Sequence, residues 1–314
     1  MDAAECGRMP QNAAERRREE KTMKRTITKI ISIALVAATA ALSFTGCGKA
    51  GGFDQSKNIS VVAREDGSGT KSAFMEIIGL KGKSDISGII VAASTAAVLN
   101  EVKGNPLAIA YESLGYVTDD VKMLKVNGVA PTVENIKNGS YKIARPLNIV
   151  FKEDTVKDGI NKAFYEFLQS SDAQTIISAE GYVSTKEGAV EYKIQSGLSG
   201  EIGVSGSTSL QPLMLKLAAK FMELQKDVKV SVSGGGSGTG YKNAEGGVSN
   251  FGMISESFNI EKAPGCTYYE VAKDGIAIIV NKSNTFDNIS TDTLKKIYDV
   301  DAGDDAVKVW NQVK

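Results

Sequence analysis

Three stretches of this chain gather glycine, serine and threonine where a β-branched run gives way to a helical pattern. The first is Arg64-Glu65-Asp66-Gly67-Ser68-Gly69-Thr70, the second Ser205-Gly206-Ser207-Thr208-Ser209, and the third Ser233-Gly234-Gly235-Gly236-Ser237-Gly238-Thr239-Gly240. Each offers what an oxyanion needs. Glycines let backbone N–H groups approach and converge, hydroxyls add donors, and a helix N-terminus contributes partial positive charge. One such loop is no more than a tight turn and an N-cap requires; three in one chain, one of them with an arginine attached, point to an anion site. Arg64 can give a tetrahedral anion a bidentate, charge-assisted contact. Asp66, two residues on, either fixes the Arg64 fork or forms a surface ion pair of little worth.

Other chemistries fit these residues less well. The chain has no histidine, which excludes Ser-His-Asp and Cys-His active sites and the usual histidine metal sites. No P-loop lysine follows any of the loops, no acidic residue completes a dinucleotide fingerprint after the third, and residues 206–209 make no nucleophile elbow. The reading is therefore a binding protein without catalytic residues, metal or cofactor. Lysine plus arginine and aspartate plus glutamate both total 37 of 314 residues, so no bulk charge draws the chain to nucleic acid. An anion site must be built locally.

The elements that position these loops alternate short β-branched runs with amphipathic stretches, the pattern of an α/β protein. Residues 59–62 and 107–111 read as strands, and a helix is expected near residues 71–78. Ile160, Ala163, Phe164, Phe167 and Leu168 fall on one helical face, as do Leu210, Leu213, Met214, Leu217, Ala218 and Phe221, with Pro212 in the first turn. Residues 147–151 and 275–281 are continuous apolar runs, expected of strands buried on both sides. They are either central strands or crossovers between two lobes.

The N-terminus has a separate logic. Residues 24–29 are basic, 30–42 apolar, and Ser43-Phe44-Thr45-Gly46 precede Cys47. Residues 23–46 read as a secretory signal peptide. Its end resembles a bacterial lipoprotein box, with Phe44 where leucine is commoner; Cys47 would then be acylated, holding the protein to the extracytoplasmic face of the membrane. An ordinary signal peptide with an incidental cysteine is the alternative. Residues 1–22 fit neither reading: Arg16 to Lys21 is what a purine-rich ribosome-binding sequence would encode, which places the start at Met23. Residues 47–58 read as a flexible tether. Of the three cysteines, Cys6, Cys47 and Cys266, the last is expected as a free thiol.

Beyond these readings, the chain resembles the phosphate-binding proteins of phosphate ABC transporters. The resemblance rests on residues 64–70 and 235–240, on Ser205 to Leu213, and on Lys273-Asp274-Gly275-Ile276-Ala277. Gly128-Val129-Ala130-Pro131-Thr132 and Asn138-Gly139-Ser140-Tyr141 extend it over most of residues 59–314. It implies a two-lobed periplasmic-binding-protein-like fold of type II, two sheets joined by two crossover strands, with phosphate in the cleft. It also implies ligand contacts at Arg64, Ser68, Gly69, Thr70, Thr208, Ser209 and Ser237, with Asp66 as the partner of Arg64. Ser255 stands where some members of the family carry an aspartate that accepts a hydrogen bond from protonated phosphate.

The order of the motifs departs from the family, which usually places the Ser-Gly-Ser-Thr half first. A circular permutation would produce this order, with one lobe formed by residues 59–147 plus 278–314 and the other by 148–277; a scrambled gene is the alternative. The implied partners are inorganic phosphate, the permease of an ABC importer and the membrane through the anchor, with the protein a monomer. Other tetrahedral oxyanions (sulfate, molybdate, tungstate) and a non-transport surface sensor or adhesin are the competing readings.

Overall fold

The computed structural model describes residues 52–314. The signal, lipobox and Cys47 readings lie outside the described residues. In chain order the elements are β1 (Ser60–Arg64), α1 (Gly69–Ile77), β2 (Ile90–Ala92), α2 (Thr95–Gly104), β3 (Ala108–Ser113), β4 (Val121–Val126), α3 (Val133–Lys137) and β5 (Ala144–Phe151). Then follow α4 (Gly159–Leu168), α5 (Ser171–Ala179), β6 (Val183–Ser184), β7 (Gly200–Gly206), α6 (Gln211–Leu224), β8 (Val228–Gly234) and α7 (Ser237–Glu245). The last are β9 (Phe251–Ile254), β10 (Thr267–Asn281), β11 (Asn288–Ile289) and α8 (Thr291–Tyr298).

The strands form one hydrogen-bonded path, β2-β1-β3-β10-β5-β9-β7-β8, with β4, β6 and β11 off it. The 15-residue β10 is what makes the path continuous. Its first part, Thr267 to Gly275, pairs antiparallel with β5, and its second part, from Ile276, pairs with β3 and β4. The two apolar runs of the sequence are therefore buried strands, and the crossings from one core to the other fall at their inner ends. Ile143, just ahead of β5, and Ile276 lie in one hydrophobic core, while Leu147 and Ala272, four positions away along the chain in each case, lie in another. This is the two-lobed α/β arrangement, with the two lobes' sheets continuous through β10.

One core is closed by the two helices the periodicity marks. On α4 the residues Ala163, Phe164, Phe167 and Leu168 are fully buried, and on α6 so are Leu213, Met214, Leu217, Ala218 and Phe221. Phe164 and Phe221 meet edge to face at 5.1 Å, so the two stripes face one another across the core of β5, β7 and β9. Burying each such large side chain is worth roughly 1.5–3 kcal/mol relative to leaving it exposed. The other core draws on both ends of the described chain. Ile59, Val61 and Phe74 pack there with Ile297, Tyr298 and Trp310. Asn58 bridges Val309, the Ile59 amide donates to the Lys308 carbonyl at 2.8 Å, and the Trp310 amide donates to the Lys57 carbonyl at 3.2 Å.

Candidate anion-binding site

All three glycine loops leave the carboxyl ends of parallel strands. β1 runs parallel to β2 and β3, and β7 runs parallel to β8 and β9. Crevices outside the carboxyl ends of such strands are where α/β proteins bind ligands. β1 leads into α1, β7 into α6 and β8 into α7, and the amides of the first turn of each helix lack intrahelical partners.

The loops meet. Thr70 and Ser209 share a hydrogen bond of 2.9 Å between their hydroxyls. The Gly238 amide donates to the Gly67 carbonyl at 3.0 Å, which joins the first loop to the third. Gly69 is required by this approach: a Cβ there would lie 2.3 Å from Ser237 Oγ and 2.9 Å from Ser255 Oγ. Ser237 Oγ in turn accepts from the Ser255 amide at 3.0 Å, which brings the residue after β9 into the same cluster. Ser68, Thr70, Ser209, Ser237 and Ser255 are all buried. Ser68 is also the N-cap of α1, its hydroxyl accepting from the Lys71 amide.

Arg64, the last residue of β1, is only 1% exposed. Its Nε donates to the Ala92 carbonyl at 3.2 Å, Nη2 to the Ala93 carbonyl at 3.4 Å and Nη1 to Thr95 Oγ1 at 3.5 Å. All three acceptors are neutral. Burial pulls the guanidinium below its ordinary value while the negative field of Glu112 opposes the shift, and an arginine stays charged through shifts of this kind.

Asp66 does not partner Arg64. Its side chain is 98% exposed and bonds Lys71 Nζ at 2.7 Å, and Lys71 also binds Asp85 at 2.7 Å. The lysine in the first turn of α1 reaches the carboxylate, whereas Arg64 bonds the carbonyls of the β2–α2 loop. This corrects the role that the resemblance implied for Asp66.

Sequence reasoning missed two contributors. Thr95, the first residue of α2, is buried and places Oγ1 3.2 Å from Thr208 Oγ1 and 3.3 Å from Ser209 Oγ, besides its contact with Arg64. Its signal was available: Ala92-Ala93-Ser94-Thr95 is a fourth strand-to-helix step with hydroxyls at the helix start, without the glycines that flagged the others. Arg145 is the second. Residues 52–314 contain only two arginines, Arg64 and Arg145, and both are buried. Arg145, on β5, donates Nη1 to the Ser255 carbonyl at 3.2 Å and Nη2 to Asp274 Oδ2 at 3.1 Å, an ion pair with both side chains 1% exposed. Asp274, on β10, also accepts from Ser113 Oγ at 2.8 Å. Burial pushes its carboxyl up, against the pull of Arg145.

The arrangement is thus a buried guanidinium and a ring of hydroxyls at four helix N-termini, with a second buried arginine tied to the backbone of Ser255. The model of the PBP superfamily domain matches this chain over residues 26–172 and 193–314. The chain belongs to the PBP superfamily. Within it, phosphate-binding protein PstS 2 of Streptococcus agalactiae serotype V is 34% identical over 280 residues, 86% of this chain and 94% of that one. Phosphate-binding protein PstS 2 of Streptococcus pneumoniae serotype 4 is 33% identical over 266 residues, 82% of this chain and 89% of the relative. A crystal structure of a phosphate-binding protein of a phosphate ABC transporter from Streptococcus pneumoniae superposes with a TM-score of 0.65 at 31% identity, covering 82% of this PBP-superfamily chain and 100% of the other.

Proposed function

We propose that this protein captures inorganic phosphate in the cleft between its two cores and delivers it to the permease of an ABC importer. The observation that carries the reading is Arg64: a fully buried cation whose hydrogen-bond acceptors are all neutral, set among hydroxyls from four loops. Arg64, Ser68, Gly69, Thr70, Thr208, Ser209, Ser237 and Ser255 form the proposed contact set, and Thr95 joins it. Relatives named as phosphate-binding proteins, matched over most of both chains, support the choice of ligand. The role is capture and release of an unaltered ion, with no chemical conversion.

The hydroxyl of Ser255, unlike a carboxylate, can donate as well as accept. It therefore does not repel a fully ionised anion, which makes sulfate the competitor to measure. Titration calorimetry of residues 52–314 with phosphate, sulfate and molybdate tests the reading. Tight phosphate binding with weak sulfate binding is expected, and the reverse order would reassign the ligand. The reading further takes the protein to be a monomer held outside the cytoplasm by an acylated Cys47. Light scattering on the soluble body tests the first part, and metabolic labelling with a palmitate analogue, lost in Cys47→Ala, tests the second. Among the described residues no helix is long and apolar enough to cross a membrane.

A further inference from the structure

Behind the hydroxyl ring lies a carboxyl group that capture of the anion leaves unused. Glu112 sits on β3, the strand between β1 and β10, paired with Ala277 in the β3–β10 ladder. It is fully buried. One of its oxygens accepts from the Ser113 amide at 2.7 Å, and the other, Oε2, has no hydrogen-bond partner. A buried carboxylate oxygen without a partner costs free energy, so its place in a closed, well-packed strand calls for a reason.

The surrounding charges supply one. The ionisable groups facing Glu112 are Arg64 from β1, Arg145 from β5 and Asp274 from β10, with Tyr111 on its own strand. Tyr182, ahead of β6, lies beside Asp274. The α2 N-terminus adds only the uncharged Thr95 near Arg64. Arg145 and Asp274 neutralise each other directly. That leaves Glu112 as the principal negative charge acting on Arg64, ahead of its chain neighbour Glu65. A divalent anion arriving at Arg64 adds to it, and two anionic groups then share one guanidinium in a buried space. Like charges brought together in this way raise the carboxyl's proton affinity.

We propose that Glu112 takes up one proton from solution when the oxyanion settles on Arg64, so that a doubly charged ligand is held without a net buildup of buried negative charge. The proton adds to Oε2, the oxygen without a partner, and no other bond is made or broken. The inference rests on the reading of Arg64 as the anion contact. Burial already pushes the Glu112 carboxyl up to about 7, close enough to solution pH for a modest further push to protonate it.

The test is phosphate titration at about pH 8, where an ordinary carboxyl is ionised, in buffers of different ionisation enthalpy. Wild type should take up about one proton per phosphate bound more than Glu112→Gln. Phosphate-induced infrared difference spectra should show the carbonyl stretch of a protonated carboxylic acid, shifted by ¹³C-glutamate labelling and absent from Glu112→Gln. The labelled wild type decides the matter by itself if the variant does not fold. Equal proton uptake in both proteins, or no glutamic acid band at saturation, would overturn the proposal and leave phosphate capture standing. An Arg64→Ala protein that binds phosphate as wild type does would overturn both.

Discussion

Thr70 and Ser209 stand 139 positions apart in the chain and share a hydrogen bond of 2.9 Å. Thr70 lies in the first turn of α1 above the core that holds Ile59 and Trp310, and Ser209 precedes α6 above the core that holds Phe164 and Phe221. The bond is a latch between the two. A double-mutant cycle with Thr70→Val and Ser209→Ala should give a coupling of about 0.5–1.5 kcal/mol in phosphate affinity. Strict additivity in the titrations would mean that the two hydroxyls act separately.

Arg64→Ala removes the charge-assisted contact to the ligand and also leaves Glu112 without its buried counter-charge. The expected loss is about 2–5 kcal/mol of phosphate binding, as for truncating one member of a buried charge pair. Arg64→Lys should recover part of it, since an ammonium cannot reproduce the planar fork that spans the Ala92 and Ala93 carbonyls. Calorimetry alongside circular-dichroism melts separates loss of affinity from loss of fold.

Gly69→Ala should act on closure. The added Cβ would stand 2.3 Å from Ser237 Oγ, a clash that either turns the serine away or holds the loops apart. Phosphate should bind at least about tenfold more weakly, a change of about 1.4 kcal/mol, with ligand-free melting little altered. Small-angle scattering with and without phosphate should show a smaller compaction than in wild type.

Asp66→Asn should be close to silent. The carboxylate is 98% exposed and its partner Lys71 keeps Asp85, so the expected change in phosphate affinity is within about 0.5 kcal/mol. A loss as large as that of Arg64→Ala in the same titration would restore Asp66 to the site.

Stability without ligand should fall as pH rises toward neutrality. The Glu112 carboxyl moves from an ordinary 4.5 to about 7 in the folded protein, mainly through burial. Between those values the folded state holds a proton that the unfolded state has released. Stability from this group is therefore complete below its ordinary value and lost as pH climbs through about 7. Asp274, also raised by burial, adds in the same direction. Melting temperatures of wild type should decline across this window, and Glu112→Gln should flatten the slope while leaving the Asp274 share.

What the sequence disclosed and what it hid follow from how each residue reaches the site. Ser68, Thr208 and Ser237 travel with glycines in their own loops, and that local composition marks them. The stripes of α4 and α6 are equally plain because one period serves both the helix and the core. Boundaries were less plain: the helix expected near residues 71–78 runs Gly69–Ile77, since the N-cap Ser68 sets its start ahead of the apolar pattern. Thr95 and Arg145 reach the cluster only through tertiary packing, the latter from a strand that passes between two cores. Asp66 shows the opposite failure. Nearness in sequence suggested a pair with Arg64, but the side chains of a strand end and of the turn after it face different ways, and a lysine in the next helix competes.

The meeting of residues 57–59 with residues 308–310 has a consequence for synthesis. The core around Phe164 and Phe221 draws its residues from 147–272, a single run of chain. The core around Ile59 and Phe74 also needs Leu294, Tyr298 and Trp310, which are made after that run. Chains appear N-terminal end first and fold as their contacts become available. Residues 147–272 can settle before β1 does, and β1, the first of the described strands, must wait with Arg64 until residues 294–310 arrive to complete its core.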